Sequence, residues 1–455
     1  MSVGVAATGL VAQSGVVSDR KHNALGKARR MNVARTALRL REQMQEFLRN
    51  VPLCKTGRRF ALEAVYGIQT RQSVHLSEIG RSLNEAIPLI KTEDRLSRQA
   101  SRPGLDEAVR DFVIGQGASR IAEQTLLIVD PSDVSKPYAE KMEYLARVRD
   151  GSKKQIANGY WLCQVVGVEC GGQEIVPLVN HLWSQNAPGF RSENTEILSC
   201  VSAVARQTER KGIWVVDRGG DRRRLYVAFL RMKLQFLVRL MGNRDLVCRG
   251  RKRLAEQIAA ECALPYAETV RRQNADGSEQ AITLEYGFEE VRLPGRPERL
   301  WLLVVKGFGE KPLMILTTVE LRKNRKVLWW AVEAYLTRWR IEDTLRFAKQ
   351  TYGLEDVRVL SYQSLKNMMA MALLAMFFAM VYLGQRTKLA VLCHHALKAS
   401  RRLFGIPDFR FYAIADGIKA ILCGRQTAPP FDFSRQEPQD SAQPDMLQLL
   451  GLPAT

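Results

Sequence analysis

The sequence predicts an α/β protein, with a sheet core in the order β-β-β-α-β-α-β and a mostly β insertion. An all-α basic region precedes the core and a helical region follows it. Three observations carry this. Short, fully apolar runs such as Thr125–Val129 (TLLIV) and Gly212–Val216 (GIWVV) have the length and composition of strands buried on both faces. The stretches around them carry helical spacing instead of alternation. Hydrophobic residues make up 46% of the 455, enough for a sizeable core, which excludes a disordered, collagen-like or disulfide-stapled chain.

Charge narrows the partner. Lys and Arg number 68 against 47 acids, a net +21, which points to a polyanion: nucleic acid or an anionic membrane surface. A length prior of about 150 residues per domain gives roughly three domains. The texture changes divide the chain into 1–120, 121–244, 245–320, 321–385 and 386–455.

The first region is helical and basic. Residues 19–59 hold twelve Lys/Arg against three acids. Ala34 to Leu48 has helical spacing, with Leu38, Met44, Phe47 and Leu48 apolar among Arg35, Arg39 and Arg41. Phe60–Ile68 and Ser77–Ala86 read as two short helices joined by Gln69–Ser73, either a helix-turn-helix or a plain αα-hairpin. Asp106–Phe112 continues the helical start.

In the core, Thr125–Val129 ends at Asp130. Gly159–Val168 and Gln173–Leu178 follow, and Cys170-Gly171-Gly172 between them signals a hairpin. A helix over 194–210, capped by Asn194, leads to Gly212–Val216, which ends in Asp217. A helix from Asp221 and a strand at Phe236–Leu240 complete the pattern.

The insertion holds a short helix near Arg253–Cys262 and alternating runs at Ile282–Val291, Leu300–Val305 and Leu313–Thr318. One long helix is predicted from Lys326 to Thr351. Met368–Gly384 is an apolar run of 17 residues, at the lower edge for a bilayer span. Its Met, Ala and Phe are the filler of a core helix, and no second span accompanies it, so it reads as a helix lying on a sheet. The last stretch, with Pro429, Pro430, Pro438, Pro444 and Pro453, reads as a disordered tail apart from an apolar patch at Met446–Leu452. Eight cysteines without a C-x-x-C pair read as reduced thiols of a cytoplasmic protein. The N-terminus lacks the basic start of a signal peptide.

Two features carry chemistry. In an open sheet, residues at strand ends stand where ligands bind, and two aspartates at neighbouring ends can share a hard divalent cation. A helix cap or a turn former explains each aspartate singly. The segment from Tyr335 to Lys349 (YLTRWRIEDTLRFAK) is the second. On a continuous helix, Tyr335, Arg338, Glu342 and Lys349 share one face over about four turns. That face is either solvated and knitted by i,i+4 pairs, Arg338–Glu342 and Glu342–Arg346, or a third metal carboxylate bordered by phosphate-contacting groups.

These residues meet Tyr-x2-Arg-x3-Glu-x6-Lys at every position, and with both aspartates the chain resembles the YREK-signature DDE transposases of bacterial insertion sequences. The separations are 87 residues from Asp130 to Asp217 and 125 from Asp217 to Glu342, similar to the branch with a β-strand insertion before the glutamate. The resemblance covers about 60 to 410 and implies a ribonuclease H-like core in which Asp130, Asp217 and Glu342 hold two Mg²⁺ or Mn²⁺ ions. It implies cut-and-paste cleavage at terminal inverted repeats and transfer of 3′-hydroxyl ends to target DNA. Tyr335, Arg338 and Lys349 would grip phosphates of the double-stranded DNA end, and two ends imply a homodimer at the nucleoid, with no membrane. Arg218, Arg222, Arg223 and Arg224 read as a phosphate track, and Trp339 as a core residue on the helix's other face.

The chain departs from the pattern in two places. Gly220 stands where the family often has an aromatic, and Met314 stands where some members have a base-wedging Trp; Trp301 is the nearest indole. Two rival readings share the sequence: a catalytically silent end-binding regulator or domesticated relic, and a metal-dependent nuclease without strand transfer.

Overall fold

The computed structural model describes residues 10–11, 33–151, 155–273, 279–384, 392, 394–398, 409–423, 429–431 and 433. Two of the apolar runs form adjacent parallel strands, and a third strand joins them. They are β2 (Leu126–Ser135), β6 (Ile213–Val216) and β7 (Gln235–Arg239), lying in the order β2-β6-β7. Their Val, Ile, Leu and Phe side chains are buried on both faces, as a parallel strand requires. On one flank β4 (Gln155–Val168) runs antiparallel to β2, with β3 (Ala146–Asp150) and β5 (Ile175–Trp183) both pairing to β4.

The insertion is continuous with this sheet. Its strand β13 (Leu313–Thr317) pairs antiparallel with β7, and β12 (Leu300–Lys306), β11 (Glu279–Val291) and β10 (Tyr266–Gln273) follow outward to a two-residue edge, β1 (Leu10–Val11). Eleven of the described strands thus make one mixed sheet, and β8 (Asp245–Cys248) and β9 (Arg251–Leu254) form a separate hairpin. The spacing did not disclose β3, β8, β9 or β10. Their sequences, such as ARVRD and RKRL, are too short or too charged to announce a strand; pairing with a neighbour makes them so.

Among the described residues five helices lie between β1 and β2: α1 (Val33–Arg49), α2 (Lys55–Arg71), α3 (Leu76–Ser82), α4 (Leu89–Ala100) and α5 (Leu105–Ala118). On α1 the buried stripe is Leu40, Met44, Phe47 and Leu48, while Leu38 faces outward. Helix α2 is buried from Phe60 to Thr70, so it is the hub of this region. A Cβ at Gly67 would lie 2.7 Å from Ile79 Cγ2, so glycine lets α2 and α3 touch. Glu63, buried on α2, pairs with Arg59 at 2.8 Å and with Arg95 of α4.

The predicted core helix is α11 (Tyr362–Met380). It is long and apolar enough to cross a membrane by length and composition, yet it is buried inside the protein, against β5, α2, α4 and α5. The N-terminal helices and the sheet therefore share one hydrophobic core. The predicted 194–210 helix is α6 (Glu193–Gln207), capped by Ser192, whose hydroxyl accepts the Thr195 N–H, rather than by Asn194. The other helices are α7 (Arg223–Arg231), α8 (Ala255–Glu261), α9 (Arg325–Leu336), α10 (Trp339–Thr351) and α12 (Phe411–Leu422). The apolar patch at 446–452, the basic residues of 19–32 and most of the proline-rich tail lie outside the described residues.

Candidate active site

Register sets the first side of the site. Val129 pairs with Val216 across β2 and β6, and Val216 with Val238 across β6 and β7. The next residues along the three strands are Asp130, Asp217 and Arg239. They follow the last parallel pairs at one level, on strands spaced about 4.8 Å apart. Asp130 is not at the end of its strand, as the apolar run implied: β2 continues to Ser135 because β4 pairs with it along its whole length. The rim is where the parallel partner stops. Asp217 caps a single 3-10 turn (Arg218–Gly220), and its Oδ1 accepts the Gly219 N–H at 2.8 Å. Gly220 tolerates no side chain, since a Cβ there would stand 2.4 Å from Val216 Cγ1; an aromatic has no room at this position.

The other side comes from the signature segment, which is two helices where one was predicted. The Thr337 hydroxyl donates to the Glu333 carbonyl at 2.8 Å and accepts the Gly171 N–H at 3.0 Å. Around it the backbone tightens to i→i−3 bonds, Arg338 to Tyr335 and Arg340 to Thr337. Gly171 belongs to the β4–β5 turn, so the hairpin tip fixes the point where α9 gives way to α10.

Glu342, on the first turn of α10, accepts from Arg338 at 3.0 Å. Asp130 is half-buried and its carboxyl is pushed up to about 7, by desolvation first, then by the charges of Asp217 and Glu342, with Arg338 pulling the other way. Burial opposes the charge of Arg338, but Tyr335, Asp130 and Glu342 outweigh it and hold the guanidinium above its usual value. Tyr335 is buried, and burial raises its phenol while Arg338 and Arg239 pull it down. Five of these groups therefore act on one another: Asp130, Asp217, Glu342, Arg338 and Tyr335.

A family model for the transposase DDE domain matches residues 122–378, more than half of the chain. The chain belongs to the DDE transposase family. Among solved structures it is loosely similar to the piggyBac transposase in a cryo-EM synaptic complex with hairpin DNA. That match has 11% identity over 86% of this chain and 78% of that one, at a TM-score of 0.42. No curated protein matches it.

Enzymes of this family cleave and join nucleic acid and generally use divalent metal ions. The transposase offers three carboxylates, the hard oxygen donors that suit such ions. The raised pKa of Asp130 comes first from desolvation and then from the neighbouring Asp217 and Glu342, whose crowding a cation would relieve. Among the described residues no three His, Cys, Asp or Glu side chains come close enough to cage a metal ion. The reason is local: Asp217 is turned to Gly219 and Glu342 to Arg338.

The cations fall into three groups. Arg338 is buried at the site. Lys349 bonds to Glu355 at 2.9 Å and lies 3.8 Å from Asp133. Of the arginine run, Arg222 is spent within the protein, donating to Gly219 O, Asn194 and Glu193. Arg218, Arg223 and Arg224 are exposed. Arg223 and Arg224 border a separate shallow depression of about 550 Å³ lined also by Leu198, Val227 and Met232.

Several readings are corrected. Arg346 pairs with Asp343 at 3.4 Å instead of with Glu342, because Arg338 already holds Glu342. Trp339 is not in the core: it is 38% exposed, with Arg338 stacked over its ring at 4.9 Å. Met314 is buried in β13, its methyl 3.3 Å from a Cβ built at Gly242. Arg239 is the site residue that sequence reasoning missed, although FLVR has the same strand-then-charge form as IVD and VVD. A buried strand ending in a cation was the signal.

Proposed function

We propose that this transposase cuts double-stranded DNA at the terminal inverted repeats of a bacterial insertion sequence and joins the 3′ ends to target DNA, by cut-and-paste. The single observation that carries the reading is the level placement of Asp130 and Asp217 beside Glu342, bordered by Arg338, Tyr335 and Arg239. Asp130, Asp217 and Glu342 would hold two Mg²⁺ or Mn²⁺ ions. When bound, such ions supply Lewis-acid activation of the attacking oxygen and stabilise the leaving one.

The chain's own residues do the rest. The carboxylates orient without forming a covalent intermediate. Arg338 and Arg239 place positive charge beside the scissile phosphate, and Lys349 steadies the strand being transferred. Arg218, Arg223 and Arg224 extend the phosphate track, with Arg222 bracing the turn that carries Asp217. The sheet fits a ribonuclease H-like core whose β insertion precedes the glutamate, preceded by a DNA-binding helical region. The transposase acts as a homodimer on two ends, at the nucleoid in the cytoplasm.

The test is a cleavage assay on DNA flanking the reading frame, with and without Mg²⁺. Asp130→Ala, Asp217→Ala and Glu342→Ala should each abolish cutting while DNA binding survives. Wild-type excision by any one of them overturns the reading. Cutting without joined product, when a target plasmid is supplied, reduces it to a nuclease.

A further inference from the structure

The cations at the site are held in different ways, and Lys349 is held by anions that have no part in the carboxylate trio. Its ammonium lies 2.9 Å from Glu355 and 3.8 Å from Asp133. Each of those acids is itself anchored by backbone. Glu355 Oε1 accepts the Ser135 N–H at 3.1 Å, and Asp133 Oδ1 accepts the Gly151 N–H at 3.2 Å.

The anchoring ties Lys349 to the strand of the first catalytic carboxylate. Asp133 and Ser135 follow Asp130 on β2. Glu355 reaches that strand because the chain reverses after α10 through Gly353, whose φ of +63° belongs to the left-handed region that glycine enters freely. Lys136, buried on the strand side, donates to the carbonyls of Glu355 and Val357, the latter at 2.8 Å, and pins the turn in place. Lys136 spends its donors on carbonyls and leaves the Glu355 carboxylate to Lys349.

Two fixed acids around one base carry a net charge of −1, which is a poor design for drawing in a phosphate. It is a good design for holding a flexible four-carbon side chain in one place. A free lysine loses rotamer freedom when it is immobilised. Here that ordering is complete before DNA arrives.

We propose that Asp133 and Glu355 are positioning residues that fix Lys349 against β2, the strand that carries Asp130, for the phosphate of the reacting strand. Their contribution is to the rate of cleavage and not to affinity for DNA. The inference rests on reading the site as a DNA-cleaving centre.

The experiment uses the full-length transposase, Mg²⁺ and duplex DNA taken from the element's own ends. Affinity is measured by fluorescence anisotropy and cleavage in single turnover. Asp133→Asn and Glu355→Gln should each slow cleavage at saturating DNA by about tenfold or more, with Kd unchanged within about twofold. In a Lys349→Ala background neither should cost anything further, a coupling that a merely structural role would not produce. Wild-type rates in both single variants, or losses that add to that of Lys349→Ala, overturn the proposal. If Asp133→Asn does not fold, Glu355→Gln, the more exposed acid, carries the test alone. Asp130→Ala and Lys349→Ala separate the two levels. Wild-type cutting by Asp130→Ala sinks the cleavage reading itself, whereas loss there with both Asp133→Asn and Glu355→Gln silent sinks only the positioning role.

Discussion

Asp130 and Asp217 each stand one residue beyond Val129 and Val216, the last parallel pair between β2 and β6. Two carboxylates thus leave adjacent strands at one level, 87 residues apart in sequence. The arrangement concentrates negative charge at the half-buried rim just beyond the fully buried part of the sheet, and it costs stability in order to make a site.

That cost predicts a pH dependence. The Asp130 carboxyl is raised from 3.8 to about 7, so the folded chain keeps its proton to higher pH than the unfolded chain does. Its contribution to stability is fully present below about pH 4 and is lost as pH rises through about 7, at about 1.4 kcal/mol for each pH unit crossed between the two. Asp130→Asn should therefore melt higher than wild type above about pH 7 in metal-free buffer, and the advantage should vanish near pH 4. Equal melting temperatures across that range would show that Asp130 is not strained.

Arg239 shares the rim with the two aspartates and lies beside Tyr335. Removing a charge-assisted contact costs about 1.5–3 kcal/mol. Arg239→Ala should slow end cleavage by roughly 10- to 100-fold, and Arg239→Lys should recover only part of the loss because lysine lacks the fork. Single-turnover cleavage decides it; a wild-type rate refutes the role.

Away from the site, Glu63 and Glu85 share the two guanidiniums of Arg59 and Arg95. The Glu63 side chain is 1% exposed, so Glu63→Ala takes the buried partner from both arginines and leaves a dry gap behind. The loss should be about 3 kcal/mol by urea unfolding, since the arginines reach solvent and soften the penalty for a broken buried pair. A loss below about 1 kcal/mol would place the network among ordinary surface pairs.

The division between sequence and tertiary structure follows from the range of each interaction. Apolar runs on either side of short turns determined β2, β6 and the β4–β5 hairpin, because a strand buried on both faces needs a composition that little else shares. As candidates, Asp130, Asp217 and Glu342 were legible for the same reason: a charge directly after a buried strand, and an acid inside a specific spacing, are local facts. What lay beyond reach was decided by partners distant in the chain. β3, β8, β9 and β10 exist because neighbours supply their hydrogen bonds. The α9–α10 junction exists because Gly171 meets Thr337 across 166 residues. Arg239 joined the site only through the register of β6 on β7, and Lys349 acquired Asp133 and Glu355 only when α10 folded against β2. The sequence alone named the acids; the tertiary structure chose which cations face them and what holds those cations still.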